Sequence, residues 1–130
     1  MFTQTPGKKG KRKKLARKLL EKDIEKILTA EVRRLGGKAY KFTSPGNDGV
    51  PDRIVIFPNA MPVFAELKTD TGRLSKLQKI QIEKLSSLGQ CVEVIKGAKG
   101  LEQFFLDYGY VDTAARIREK YLEEDGGDAI

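Results

Sequence analysis

The chain has 130 residues, of which 39% are hydrophobic and 33% are charged, a composition typical of one soluble globular domain. It contains no histidine and one cysteine, Cys91, which excludes zinc fingers, histidine-based triads, Cys–His nucleophiles and an intramolecular disulfide. Any catalytic metal must therefore be held mainly by oxygen, which favours Mg²⁺ or Mn²⁺.

The formal charge of +7 is concentrated at the start of the chain. Residues 1–20 carry eight Lys or Arg and no acid, whereas the remainder is close to neutral. Such a segment binds polyanions by releasing counterions, without reading sequence, although a solubilising tail is the alternative. We predict a disordered basic arm over residues 1–12. The predicted DNA contacts of this basic segment are Lys8, Lys9, Lys11, Arg12, Lys13 and Lys14.

Apolar periodicity and turn residues then predict the order of the elements. In chain order they are a helix from Lys13 to Gly36-Gly37, strands over 39–43, 52–57 and 62–68, a helix over 75–88, a strand over 91–95, and helices around 101–106 and 113–122. The second and third strands are close enough in sequence to form a hairpin. The pattern indicates an α/β fold, a mixed sheet flanked by helices, in one domain over residues 13–122 with an acidic tail at 123–130.

A set of charges occurs at the ends of the predicted hairpin. Asp52 begins one strand and Glu66 lies near the end of the next, so antiparallel pairing brings their carboxylates together to share a metal ion. The main-chain carbonyl of Leu67 offers a further oxygen ligand. Lys68 shares the face of Glu66, where it can orient or deprotonate the attacking water, or hold a phosphate as a point charge. The bland alternative is a turn cap at Asp52 and a surface ion pair between Glu66 and Lys68.

The two helices next to these strands supply further candidates. Glu21 borders the apolar face of the first helix, so we expect it to reach over the strand ends as a third carboxylate. Glu25 is a second candidate one turn on, and Glu31 is expected to form an ion pair with Arg33, Arg34 or a strand residue. Gln78 lies within the apolar face of the second helix, where it either contacts the metal water or phosphate or ties helix to strand.

Phosphate contacts are predicted on both sides of this site. The loop over 44–49, SPGNDG, is rich in main-chain donors and directly precedes Pro51-Asp52, which suits a loop that follows a phosphate backbone. The candidate residues are Ser44, Lys38, Lys41, Arg53, Arg73 and Lys76.

Together these residues resemble the PD-(D/E)XK nuclease superfamily, and specifically its stand-alone VRR-NUC type of phages and bacteria. The resemblance covers residues 20–96. The matching stretches are EKDIEKIL at 21–28, LGG at 35–37 with YKF at 40–42, GVPDR at 49–53, FAELK at 64–68, GRLS at 72–75 with Gln78, and LG at 88–89 with VEVI at 92–95.

The resemblance implies a restriction-endonuclease-like core with a mixed four-stranded sheet flanked by helices. It implies metal ligation by Asp52 and Glu66 with a contribution from Glu21, Lys68 as the catalytic lysine and Gln78 as a supporting residue. The expected activity is Mg²⁺-dependent, structure-specific cleavage of branched DNA by a homodimer, with Holliday junctions as the favoured substrate.

Two other readings stay open: a flap, nick or nonspecific DNA endonuclease, and a non-catalytic DNA-binding protein on a nuclease fold. The resemblance, together with the lack of an apolar membrane span or signal peptide, favours the cytoplasm of a bacterial or phage-infected host cell.

Overall fold

The computed structural model describes residues 18–123. Its elements are α1 (Glu21–Arg34), β1 (Lys38–Lys41), β2 (Arg53–Ile56), β3 (Val63–Lys68), α2 (Lys76–Ser87), β4 (Cys91–Lys96), α3 (Gly97–Asp107), α4 (Val111–Ile117) and a π-helical turn (Arg118–Leu122). The strands form one sheet in the order β1-β2-β3-β4, antiparallel across the first three and parallel between β3 and β4. This confirms the predicted α/β fold with a mixed four-stranded sheet flanked by helices.

One face of the sheet holds the hydrophobic core. Alternate strand residues Val55, Ala65 and Leu67 are buried on it. The stripe Ile24, Leu28 and Val32 of α1 is fully buried, as expected for one helix face at a period of 3.6. The apolar residues of α3 and α4 complete the same core.

The opposite face is packed differently, because α2 contacts it mainly at β4 and contributes no buried residue. Glu66 and Lys68 alternate with Ala65 and Leu67 along β3, so their side chains lie on this second face. The sheet therefore separates a packed face from a face that carries charges.

Most element boundaries differ from the predictions by one or two residues, and three differ by more. Within the described residues α1 begins at Glu21, because the Leu20 N–H donates to Asp23 Oδ2 at 2.9 Å and stops the helix there; the predicted start at Lys13 lies outside those residues. The third long helix begins at Gly97 rather than near residue 101. Gly97 (φ +64°) turns β4 directly into α3, where any Cβ would overlap the side chain of Asp70.

The third boundary is the end of the last helix. It begins at Val111 and passes into the π-helical turn at Arg118, whereas one regular helix over 113–122 was predicted.

Several predictions fall on residues that the structure does not describe. These are the basic arm over 1–12, residues 124–130 of the acidic tail, and the DNA contacts assigned to Lys8, Lys9, Lys11, Arg12, Lys13 and Lys14. Within residues 18–123, no helix combines the length and the apolar character needed to cross a bilayer.

Candidate active site

The β2–β3 hairpin brings Asp52 beside Glu66. The register pairs Arg53 with Ala65, so the next residues along each strand, Asp52 and Glu66, are opposite each other. Asp52 is also fixed to β3 by a hydrogen bond, because its Oδ2 accepts from the Leu67 N–H at 2.8 Å. The aspartate is therefore positioned by the sheet itself rather than by the mobile end of a loop.

Glu66 is 1% exposed, and its two carboxylate oxygens have different surroundings. Oε2 accepts a hydrogen bond from Gln78 Nε2 at 3.0 Å and lies 3.8 Å from the Lys68 ammonium. Oε1 is buried and has no hydrogen-bond partner among the described residues. A buried, unpaired carboxylate oxygen costs free energy, so it marks a position where a bound cation would be stabilised.

The pKa of Glu66 is raised from its usual 4.5 to about 7. Burial is the largest cause, and the charge of Asp52 is the second, with a smaller contribution from the charge of Glu21. Lys68 acts in the opposite direction and lowers the pKa. Two carboxylates in contact, one of them buried, are what raises a carboxyl pKa in the absence of a metal.

Gln78 joins α2 to the carboxylate pair. Ser75 and Gln78 form a capping box at the start of α2: Gln78 Oε1 accepts from the Ser75 N–H at 2.8 Å, and Ser75 Oγ accepts from the Gln78 N–H at 3.1 Å. The same amide donates through Nε2 to Glu66. The structure thus shows the helix-to-strand tie that was one of the two roles considered for Gln78. The Ser-x-x-Gln spacing is the sequence signal for the cap.

The loop that precedes Asp52 is closed and packed against α2. Its turn is held by the Asn47 N–H, which donates to the Ser44 carbonyl at 2.9 Å, and by Asn47 Nδ2, which donates to the Ser44 hydroxyl at 2.9 Å. At its end, Gly49 has φ +91°, and a Cβ there would lie 2.6 Å from the main-chain carbonyl of Leu77. Only glycine permits both this backbone conformation and this close approach.

The expected third carboxylate is less closely placed. Glu21 lies near enough for its charge to raise the pKa of Glu66, so the start of α1 is on the active-site side. However, no three acidic or Cys side chains within residues 18–123 are arranged to hold a metal ion in this structure. Asp52 and Glu66 are therefore next to each other, whereas the carboxylate of Glu21 does not join them as a third metal ligand in this structure.

The residues that are present fit a hard divalent cation. The orphaned Oε1 of Glu66 and the neighbouring carboxylate of Asp52 are oxygen donors, and two adjacent anions are stabilised by a shared cation. Cys91, the one soft donor, is exposed and lies at the start of β4, at the other end of the strand paired with β3. This donor set suits Mg²⁺ or Mn²⁺ better than a soft metal.

The predicted phosphate contacts have different environments. Lys41, Arg73 and Lys76 are exposed, and Ser44 is half-buried in its turn. The Arg53 guanidinium is held inside the fold: it contacts Glu25 Oε2 at 2.8 Å and 2.9 Å and donates to the Ala39 carbonyl at 3.1 Å.

The two remaining acids of α1 are taken up by ion pairs. Glu25, considered as a further active-site acid, is occupied by Arg53. The predicted ion pair of Glu31 with Arg34 is confirmed, at 3.4 Å. Sequence reasoning missed its stronger partner, Arg116, whose Nη2 lies 2.8 Å from Glu31 Oε1.

Comparison with known proteins finds a nuclease-like relative and two similar solved structures. No protein-family model matches the chain. A protein named "Putative nuclease p44" from Acyrthosiphon pisum secondary endosymbiont phage 1 is 44% identical over 79 residues, which cover 61% of this chain and 85% of that protein.

Both solved structures carry the name of one domain. A structure titled "VRR_NUC domain" has a TM-score of 0.63 and 25% identity, and the match covers 69% of this chain and 97% of that one. A second, titled "VRR_NUC domain protein", has a TM-score of 0.57 and 20% identity over 75% of this chain and 92% of that one, a likeness in fold alone.

Proposed function

Because the chain belongs to the VRR-NUC nuclease family, we propose that it is a Mg²⁺-dependent, structure-specific endonuclease that hydrolyses phosphodiester bonds in branched DNA. Holliday junctions are the favoured substrate, and Mn²⁺ is the alternative metal. One observation carries the catalytic part of the proposal: a buried glutamate, Glu66, keeps an oxygen without a partner beside a second carboxylate, Asp52.

The residues of the site divide into metal ligands and supporting groups. Asp52, Glu66 and the main-chain carbonyl of Leu67 would hold the ion, and Glu21 adds negative charge from the start of α1. When bound, the ion lowers the pKa of a water molecule and neutralises charge on the scissile phosphate. Gln78 keeps the Glu66 carboxylate in its orientation through the 3.0 Å hydrogen bond.

Lys68 has a separate role. Its side chain is 15% exposed and its ammonium lies 3.8 Å from Glu66 Oε2, so it stays at the site and is not sealed inside the core. There it orients the attacking water or holds the phosphate as a point charge. A divalent ion shared by the two acids would weaken the attraction of Glu66 for Lys68 and leave the ammonium available for the phosphate.

We further propose that DNA is held by cations around this site. The exposed Lys41, Arg73 and Lys76 are available for phosphate contacts, together with the loop at Ser44. The lysine-rich arm adds sequence-independent affinity through counterion release, because it carries eight basic residues and no acid within positions 1–20.

A homodimer is part of this proposal, because two symmetric cuts on a four-way junction require two sites at a fixed spacing. The outer side of α2 supports it. Leu77 and Ile80 are neighbours on this helix and Leu88 follows it as the C-cap; they are 50%, 38% and 73% exposed. Exposed apolar residues on a helix that buries no residue of its own suit a surface covered by a partner.

The test is cleavage of a substrate panel by Asp52→Asn and by an Asp112→Asn control. The panel contains a four-way junction, a flap, a nicked duplex and a linear duplex, each with Mg²⁺. We expect Asp52→Asn to lower junction cleavage by at least about 1000-fold while junction binding persists, because charge stabilisation of several kcal/mol is lost. Asp112 is an exposed acid of α4 and its variant should cut normally.

The other outcomes separate the alternatives. A wild-type preference for the flap or nicked duplex, with a monomer in sedimentation, identifies the flap or nick endonuclease. Absence of cleavage by wild type, with no heat in a Mg²⁺ titration, identifies a non-catalytic DNA-binding protein. If Asp52→Asn cleaves the four-way junction at the wild-type rate, the assignment of the active site to Asp52 and Glu66 is wrong.

A further inference from the structure

A basic cleft lies between α1 and the edge strand β1. The cavity has a volume of about 400 Å³ and is lined by residues 29, 33, 37–41 and 53. Four of these residues are Lys or Arg and none is acidic, within the part of the chain that the structure describes. A cavity of this size and charge is suited to a small anionic group.

The edge of β1 adds main-chain donors to the cleft. The Phe42 N–H donates to the Asp52 carbonyl at 2.9 Å, so the main chain of Phe42 faces the neighbouring strand. Because residues that face the neighbouring strand alternate with residues that face away from it in an antiparallel ladder, the N–H and C=O groups of Ala39 and Lys41 point away from β2, where the Ala39 carbonyl accepts from Arg53. β1 is at the end of the sheet, so these donors face the open edge that borders the cavity.

Three side chains give the cleft its charge. Arg33 of α1 and Lys41 of β1 are exposed, while the Arg53 side chain is 18% exposed and is anchored by Glu25 and the Ala39 carbonyl. Glu25 balances Arg53, which leaves the charges of Arg33 and Lys41 in excess.

Lys38 is placed differently from these three. Its ammonium lies 5.0 Å from the centre of the Tyr40 ring, on the other face of the sheet. The cleft charge therefore comes from Arg33, Lys41 and Arg53.

The cleft is close to the carboxylate pair but does not include it. Arg53 follows Asp52 in sequence, so its side chain projects to the α1 side of the sheet, whereas Asp52 and Glu66 project to the other side. Glu66 on β3 is two strands from β1, a distance of about 10 Å at the usual strand spacing, whereas Asp52 is next to β1 and is separated from the cleft by the opposite direction of its side chain. An anion in the cleft is therefore a different group from the scissile phosphate.

We propose that this cleft, formed by Arg33, Lys41, Arg53 and the outward N–H groups of β1, binds the sugar-phosphate backbone of DNA away from the scissile bond. The inference rests on the proposed function, because it assigns a second contact for the same substrate. Its ligand is a phosphodiester, recognised by charge and by main-chain donors, without base recognition. Arg53 acts mainly as a positioning residue that shapes the wall of the cleft.

The test measures binding of the full chain to a 20-base-pair duplex in EDTA over a series of salt concentrations. We expect the double variant Arg33→Ala/Lys41→Ala to weaken the affinity roughly tenfold and to lower the slope of log K against log salt by up to about 2. The loss should be equal for unrelated sequences. Lys41→Arg, which keeps the charge, should bind like wild type.

Matched controls make the result decisive. Lys99→Ala/Lys120→Ala removes two exposed cations of α3 and the π-helical turn and should leave affinity and slope unchanged. Unfolding midpoints of both double variants confirm that the fold is retained. A wild-type affinity and slope in Arg33→Ala/Lys41→Ala, or an equal loss in the control, would overturn the inference. The binding test in EDTA does not depend on cleavage. Failure of the nuclease proposal would instead appear in the Mg²⁺ cleavage panel, as a wild-type protein that binds DNA but does not cut it.

Discussion

Glu31 and Glu66 are the buried acids among residues 18–123, and their environments are opposite. Glu31, 7% exposed, is held by Arg116 at 2.8 Å and by Arg34 at 3.4 Å. Glu66, 1% exposed, has a second acid beside it and an oxygen without a partner. The positive charges of Arg116 and Arg34 balance the Glu31 carboxylate. The Lys68 ammonium, 3.8 Å from Glu66, faces two carboxylates, those of Glu66 and Asp52, and cannot balance both.

The difference fits a structural role for Glu31 and the proposed metal-binding role for Glu66. A buried carboxylate that is paired and hydrogen-bonded contributes to a specific fold, and removing one partner is costly. A buried carboxylate beside another acid destabilises the metal-free protein when both are charged, and a bound cation would relieve that cost. Burial alone would not have distinguished Glu31 from Glu66; their neighbours do.

The largest expected effect is on cleavage. Glu66→Gln should reduce the cutting of a four-way junction by at least about 1000-fold, because the variant loses one of the two carboxylates proposed to hold the metal. Glu31→Gln should cut close to the wild-type rate at a temperature where it is folded. Rates of single-turnover cleavage with saturating Mg²⁺ measure both. Equal losses in the two variants would erase the distinction between the acids.

The next effect is on stability, and the two variants should have opposite signs. The folded-state pKa of Glu66 is about 7, above its usual 4.5, so its contribution to stability is present below pH 4.5 and is lost as the pH rises through 7. At pH 8 without metal, the charged form should therefore cost about 3 kcal/mol, which Glu66→Gln avoids. Glu31→Gln should instead lose about 1–3 kcal/mol, because Arg116 is left without its partner.

Urea denaturation in EDTA measures these differences. The gain of Glu66→Gln over wild type should shrink between pH 8 and pH 5, where the wild-type carboxyl is protonated. Added Mg²⁺ should stabilise wild type at pH 8 and have little effect on Glu66→Gln. A Glu66→Gln protein that is less stable than wild type at pH 8 without metal would show that the carboxylate pair is not strained.

The smallest effect concerns the amide that joins α2 to Glu66. Ser75→Ala and Gln78→Ala each remove part of the same capping box and should each lower stability by about 1 kcal/mol. Only Gln78→Ala also removes the hydrogen bond to Glu66, and it should slow cleavage by roughly tenfold. Comparing the two variants separates the orientation of the acid from the stability of the helix. If Ser75→Ala and Gln78→Ala cleave at equal rates, Gln78 contributes only to the helix cap and not to the orientation of Glu66.

The sequence predicted the features that depend on local spacing. Asp52 and Glu66 meet because a short loop joins two neighbouring antiparallel strands and side chains alternate along each strand, and both features can be predicted from the sequence. The pairing of Glu31 with Arg116 was not readable, since 85 residues separate them and only the packing of α4 against the rest brings them together.

The start of α3 was missed for a local reason. The glycines at 97 and 100 look like a loop but serve a direct strand-to-helix junction: Gly97 adopts a positive φ, and a Cβ at Gly100 would lie 3.1 Å from the Ile95 backbone. Glu21 was expected inside a helix that begins near Lys13, but it is the first residue of α1. The run of Lys and Arg before it contains no residue that marks a helix start.

Gly49 affects the position of the Glu66 carboxylate without contacting it. A methyl group at this position would push the loop and the first turn of α2 apart, since only 2.6 Å separates its Cβ from the Leu77 carbonyl. The amide of Gln78 would move with that turn and leave Glu66 unheld. A residue without a side chain thus sets the distance between the loop and α2, and the orientation of the Glu66 carboxylate depends on that distance. A substitution at Gly49 would lower activity in a protein that keeps all its acidic residues.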